Sequence, residues 1–185
     1  MSVKQVINLG AGKESEAVLM QNDATCHIAI SSVTATALPS DQAERLDAEV
    51  LRSFVDEEVE RLCKRGAAAQ DFPGDDPNHR ELLGVLAFAY ARRVFDSEDI
   101  AERCLTDASF RQLCNGHAPF ASELIKFRRR NRPLLETVLA NVLLRANEHS
   151  QPNQPPGVAP AVKRQMLCHA ATRLDTARHV DTASE

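Results

Sequence analysis

The sequence predicts a mainly α-helical bundle. Three observations carry that prediction. The strongly periodic apolar segments after Pro39 all have helical spacing. Helix-capping and helix-ending residues separate them. The apolar complement is aliphatic in character, 43% hydrophobic with only 4% aromatic residues and no Trp in a chain of 185 residues. A chain of 20.4 kDa has room for one domain of ordinary size plus tails.

Residues 1–39 differ from the rest. Val3, Gln5, Ile7 and Leu9 share a side if extended, and Cys26, Ile28 and Ile30 alternate with His27, Ala29 and Ser31. That period of two predicts a short β-hairpin or an extended N-terminal arm. Gly10-Ala11-Gly12-Lys13 invites a phosphate-loop reading. It fails because Ile7 stands where the first glycine is needed and Glu14 where Ser or Thr should follow the lysine.

A first long helix is expected to open at Ser40 or Asp41 and run through residue 62, with Leu46, Val50, Phe54, Val55, Val59 and Leu62 as its apolar stripe. Residues 41–62 hold eight acidic against three basic side chains, so the opposite face is strongly negative, either as a solvated face or as a mask for a basic surface elsewhere. Residues 66–78, GAAAQDFPGDDPN, read as a loop. Residues 81–94 are apolar almost all round and are expected to form the central helix. Asp96 and Asp107 each precede a short helical segment, and Asn115-Gly116 suits the left-handed residue that ends one. Pro119 delays the next helix, which Ser122 is expected to cap and which runs to about residue 131. Arg132-Pro133 opens another, with Leu134, Leu135, Val138, Leu139, Val142 and Leu143 on its apolar face. A Pro-rich linker follows at 148–160, and a C-terminal amphipathic helix with a thin stripe of Val162, Met166, Ala170, Leu174 and Ala177 occupies 161–185 together with the tail. So thin a stripe requires a partner surface, in this bundle or in another chain.

The five cysteines are scattered and odd in number, which argues against a secreted disulfide framework. Cys114 and His117 have two residues between them and Cys104 lies one helix earlier, but no second close pair completes a zinc motif. Cysteines as small buried apolar groups are the stronger reading, and neither a metal nor a cofactor is expected. No apolar run is long enough to span a membrane, and the first residues lack the apolar core of a signal peptide, so a cytoplasmic location is expected.

The informative charge is local. Residues 120–132 carry five cations (Lys126, Arg128, Arg129, Arg130 and Arg132) and one acid, Glu123, within a chain whose formal net charge is −4. Two short helices, a glycine-containing turn and a third helix ending in this cluster give a helix-turn-helix-like unit, whose last helix would lie in a DNA major groove. On this reading Lys126, Arg128, Arg129 and Arg130 contact phosphates, Arg132 belongs to the same DNA-binding set, and Ser122, Glu123 or Lys126 near the helix start meets base edges. The competing reading makes the arginines a solvated face paired with acids such as Glu136.

The order Arg-x-Leu-Leu at 80–83, Tyr90-Ala91, the Ser-x-x-Ile of 97–100, Asp107, Phe110-Arg111, Leu113, Asn115-Gly116, Pro119 and Phe127-Arg128-Arg129, preceded by SFVDEEVERL at 53–62, resembles the N-terminal domain of bacterial insertion-sequence transposases. The resemblance covers residues 53–147. It implies a helical domain that engages the terminal DNA of a mobile element in DNA transposition. In that family a downstream RNase-H-like domain supplies three metal-binding carboxylates, the first from an Asp-Gly-Thr sequence. Here the chain continues instead as NEHSQPNQPPGVAP. The expectation is therefore a non-catalytic module with duplex DNA as its partner, acting as a homo-oligomer or beside a separate catalytic chain. The alternative is a protein-interaction or oligomerisation module derived from a transposase fragment.

Overall fold

A computed structural model describes residues 42–69, 77–151 and 160–183, all within one compact unit. The architecture is mainly α, and no strand occurs among the described residues. The arm at 1–39 and most of the Pro-rich linker lie outside them. The helices are α1 (Gln42–Arg45), α2 (Ala48–Ala69), α3 (Pro77–Ala91), α4 (Ser97–Thr106), α5 (Ala108–Leu113), α6 (Ala121–Arg130), α7 (Arg132–Ser150) and α8 (Pro160–Ala183).

Helices α2, α3 and α7 pack mutually as the centre, α8 lies along α7, and α4 to α6 form a cluster against α3. Helix α3 is the most enclosed. Leu82, Leu83, Val85, Leu86, Ala87, Phe88, Ala89, Tyr90 and Ala91 are all buried, as its nearly continuous apolar sequence requires. The Phe88 ring meets Phe110 of α5 edge to face at 5.1 Å between centroids, tying the small-helix cluster to the centre.

Several boundaries depart from the sequence reading. The expected single helix through residue 62 is broken at Leu46-Asp47, because the Asp47 carboxylate accepts the Glu49 amide at 2.8 Å and starts a new helix. Helix α2 then continues past Gly66 to Ala69, where three alanines offset the helix-weakening glycine. Helix α3 ends at Ala91 rather than 94. Its end is a left-handed Arg93 (φ 57°) with the Val94 amide bonded back to the Ala89 carbonyl. Helix α7 runs to Ser150, into the expected linker. Other punctuation matches: Asp96 and Asp107 cap α4 and α5, and Asn115 and Gly116 both take positive φ after α5.

The cap of α6 differs as well. Phe120 is the N-cap, and the Glu123 carboxylate accepts its amide at 2.9 Å. A carboxylate three residues into the helix both satisfies that amide and suits the positive end of the helix dipole. Ser122 is left inside the first turn, with its side chain exposed.

Helix α8 packs on the bundle, the outcome its thin stripe left open. Met166, Ala170, Leu174 and Ala177 are buried, and the same stripe continues through two charged residues, Arg173 and Asp181. Among the described residues no helix is long and apolar enough to cross a membrane.

Candidate nucleic-acid interface

Helix α6 has two faces with opposite uses for charge. Leu124, Phe127 and Arg128 point inward, the spacing of one helical face. Ser122, Lys126, Arg129 and Arg130 are exposed and fall on the other side, within an arc of roughly 100° at 3.6 residues per turn. Three cations and a hydroxyl thus share one solvent-facing strip, flanked at its start by the exposed ring of Phe120.

Arg128 corrects the sequence reading. Expected among the surface cations, it is buried. Its Nη1 donates to the Tyr90 hydroxyl at 3.0 Å and its Nη2 to the Asp181 carboxylate of α8. The reason is helical geometry, since residue 128 stands one turn beyond Leu124 and must share its inward face. Burial works against the charged guanidinium, but the Tyr90 hydroxyl and the Asp181 carboxylate outweigh it and raise its pKa. Arg132 is also partly diverted. Its Nη1 donates to the Asp175 carboxylate of α8 at 2.7 Å, which holds that carboxyl below its ordinary range. The expected partner Glu136 contributes to the field at Arg132, while the hydrogen bond goes to α8.

Asp181 is the hub of this polar layer. Besides Arg128 it accepts from the Ser97 amide at 3.0 Å and the Ser97 hydroxyl at 2.9 Å, so α8 completes the start of α4. Arg173 completes the end of α3, its Nη1 donating to the Tyr90 and Ala91 carbonyls at 2.7 and 2.9 Å. Burial pushes the Tyr90 phenol up to about 12, opposed by the adjacent Arg128. The sequence reading missed Asp175, Asp181, Arg173 and Tyr90 as a set. One signal was present: Arg173 and Asp181 lie at helical spacing from Met166, Ala170 and Ala177, and polar residues in register with an apolar stripe are candidates for buried pairs.

The acidic face of α2 spends its charge locally. Arg52 bonds Asp56 and Glu49, Arg61 bonds Glu58, Lys64 bonds Glu60, and Arg145 of α7 bonds Glu57 while stacking 4.6 Å over Phe54. These are contacts of a solvated helix face and of the α2–α7 seam. Among the described residues no group of three His, Cys, Asp or Glu is placed to hold a metal ion. The Cys114 thiol sits 3.8 Å from the Cys104 carbonyl and 3.6 Å from that of Arg111, and burial pushes the Cys104 thiol up to about 12, as for a small buried apolar group.

No protein-family model, curated protein or solved structure matches the chain. The resemblance of residues 53–147 to transposase N-terminal domains therefore stands on its sequence motifs alone.

Proposed function

We propose that this chain is a non-catalytic, cytoplasmic DNA-binding module, related to transposase N-terminal domains, whose contact surface is the outer strip of α6. The observation that carries the reading is the placement of Ser122, Lys126, Arg129 and Arg130 on one exposed face while the other side of the helix anchors it in the core. A rigidly seated helix with a cationic outer strip is suited to a groove edged by phosphates. The three cations would engage phosphates, and Ser122, close to the helix start, would meet a base edge or a further phosphate. Arg128 drops out of the contact set because it is buried, and Arg132 contributes only if its bond to Asp175 is exchanged.

The test is binding to a short duplex as a function of salt. Three phosphate contacts predict a slope of log affinity against log salt near −3, at about −0.9 per contact. Lys126→Ala with Arg130→Ala should flatten it by about two units and leave the fold intact. The absence of parent binding at low salt, or an unchanged slope in the double variant, removes this reading. A protein-interaction module is then the one that remains. It is favoured by the two arginines already tied to α8 acids and by the exposed apolar side chains Leu105 and Phe120, 68% and 75% accessible.

A further inference from the structure

Phe120 is the most exposed large apolar side chain among the described residues, 75% accessible, and it stands where a helix ordinarily begins with Ser, Thr, Asp or Asn. Its side chain makes no capping hydrogen bond to α6. The backbone is nevertheless held on both sides. The Phe120 amide donates to the Glu123 carboxylate at 2.9 Å, the Phe120 carbonyl accepts the Glu123 and Leu124 amides at 2.9 and 3.2 Å, and Pro119 fixes the approach of the chain. The ring is therefore held in water on a fixed stem, and packing among the described residues does not account for it.

We propose that Phe120 is a stacking platform for an unpaired nucleobase of DNA whose phosphates lie on the outer strip of α6, a role that rests on the DNA reading and names the form of DNA preferred. Lys126 and Arg130, both exposed, stand about 9 and 15 Å from Phe120 along the helix axis at 1.5 Å per residue, so the cations and the ring meet different nucleotides. The charge bonded to the Phe120 backbone is the Glu123 carboxylate, which repels phosphate. The start of α6 is thus suited to a base and its later turns to the backbone. An aromatic ring beside cations is the combination that unpaired nucleic acid calls for, because every base offers a π-face to the ring while its phosphates meet the charges. A paired base is the poorer partner. Freeing it from a duplex costs unstacking that one ring does not repay, and that cost is least for a base already unpaired. Leu105, the other strongly exposed apolar side chain, lies on α4 and has no ring to stack.

The experiment measures binding of the full chain, by fluorescence anisotropy at low salt, to three DNAs of one sequence: a paired duplex, the same duplex interrupted by one unpaired 2-aminopurine, and a single strand carrying that base. The interrupted duplex should bind about tenfold more tightly than the paired one, within the range of one base–aromatic stack. Phe120→Ala, a change at an exposed position, should remove that preference and leave the paired duplex and its salt slope unchanged. The parent should quench 2-aminopurine emission and Phe120→Ala should not. The chain has no Trp, so Phe120→Trp supplies a single reporter, which should keep the preference and lose emission when the unpaired base stacks on it. The single strand distinguishes the sources. If it binds as tightly as the interrupted duplex, the base comes from single-stranded DNA; if it binds more weakly, the base is one extruded from a duplex, and in either case Phe120→Ala should cost about tenfold. Salt-dependent binding of the paired duplex, with no preference for the unpaired base and no effect of Phe120→Ala, overturns the stacking role and leaves the DNA reading standing. No binding to any of the three DNAs overturns both. Equal losses on paired and interrupted DNA assign the ring to a paired groove and overturn the stacking role, as does unchanged DNA binding alongside loss of self-association in sedimentation, which assigns the ring to a protein contact.

Discussion

Helices α3 and α8 reach the same end by opposite means. Helix α3 is apolar on nearly every side, and all ten residues from Leu82 to Ala91 are buried. Helix α8 buries only four apolar side chains toward α7, yet it also buries Arg173 and Asp181, which finish α3 and α4 and hold Arg128. Hydrophobic burial is non-directional and would tolerate a helix sliding along its axis. Hydrogen bonds to specific carbonyls and amides do not, so the difference teaches that α3 supplies cohesion and α8 supplies register. Buried polar pairs are weak sources of net stability, but they penalise every arrangement that leaves one member unmatched.

The strongest way to break this contrast is at Asp181. Asp181→Ala leaves the Arg128 guanidinium buried without its carboxylate and the Ser97 amide without an acceptor, and should destabilise by about 3 to 5 kcal/mol in denaturant unfolding. Pairing Arg128→Met with Asp181→Leu removes both charges and should cost less than Asp181→Ala alone. A double variant as unstable as the sum of its singles would mean no coupling between Arg128 and Asp181 and would sink the register role given to α8. On the other side, Leu86→Ala, at a position with no solvent exposure, should cost about 2 to 5 kcal/mol. A loss below about 1 kcal/mol would mean that α3 is not the cohesive element.

Tyr90 belongs to both helices, lying on α3 beneath the polar layer of α8, and it is the only tyrosine in the chain. Its phenol is pushed up to about 12 from an ordinary 10.0 by burial. A raised pKa in the folded state means that the folded protein retains a proton the unfolded chain would release. The resulting stability is full below the ordinary tyrosine value and is lost as pH rises through about 12. Near-ultraviolet absorbance should therefore show no tyrosinate in the native protein at pH values where the denatured chain has ionised. Ionisation at the ordinary value would show that water reaches the layer under α8. The smallest expected effect is on stability at the outer strip. Lys126→Ala and Arg130→Ala should change unfolding free energy by no more than about 0.5 kcal/mol, which sharpens the contrast between exposed cations and the buried Arg128.

The sequence by itself determined that the chain is helical, that residues around 82–91 are central, and where the short helices after Asp96 and Asp107 begin and end. Each of those depends on local spacing, on capping carboxylates such as Asp96 and Asp107, or on the left-handed tolerance of Asn115-Gly116. These are interactions within a few residues and can be read in one dimension. It also placed the cationic cluster on α6. Tertiary structure decided which of those cations face solvent: Lys126, Arg129 and Arg130 remain exposed, Arg132 is drawn to Asp175, and Arg128 is buried against Tyr90 and Asp181. Their partners lie dozens of residues away, so no local pattern names them. Tertiary structure also assembled a cleft lined by Arg128, Arg129, Arg132 and Arg178, whereas the break at Asp47 is a local cap that the unbroken apolar stripe concealed. For the arginines the deciding energy is the cost of leaving a charge unmatched in a particular place, and that place exists only after the helices have packed.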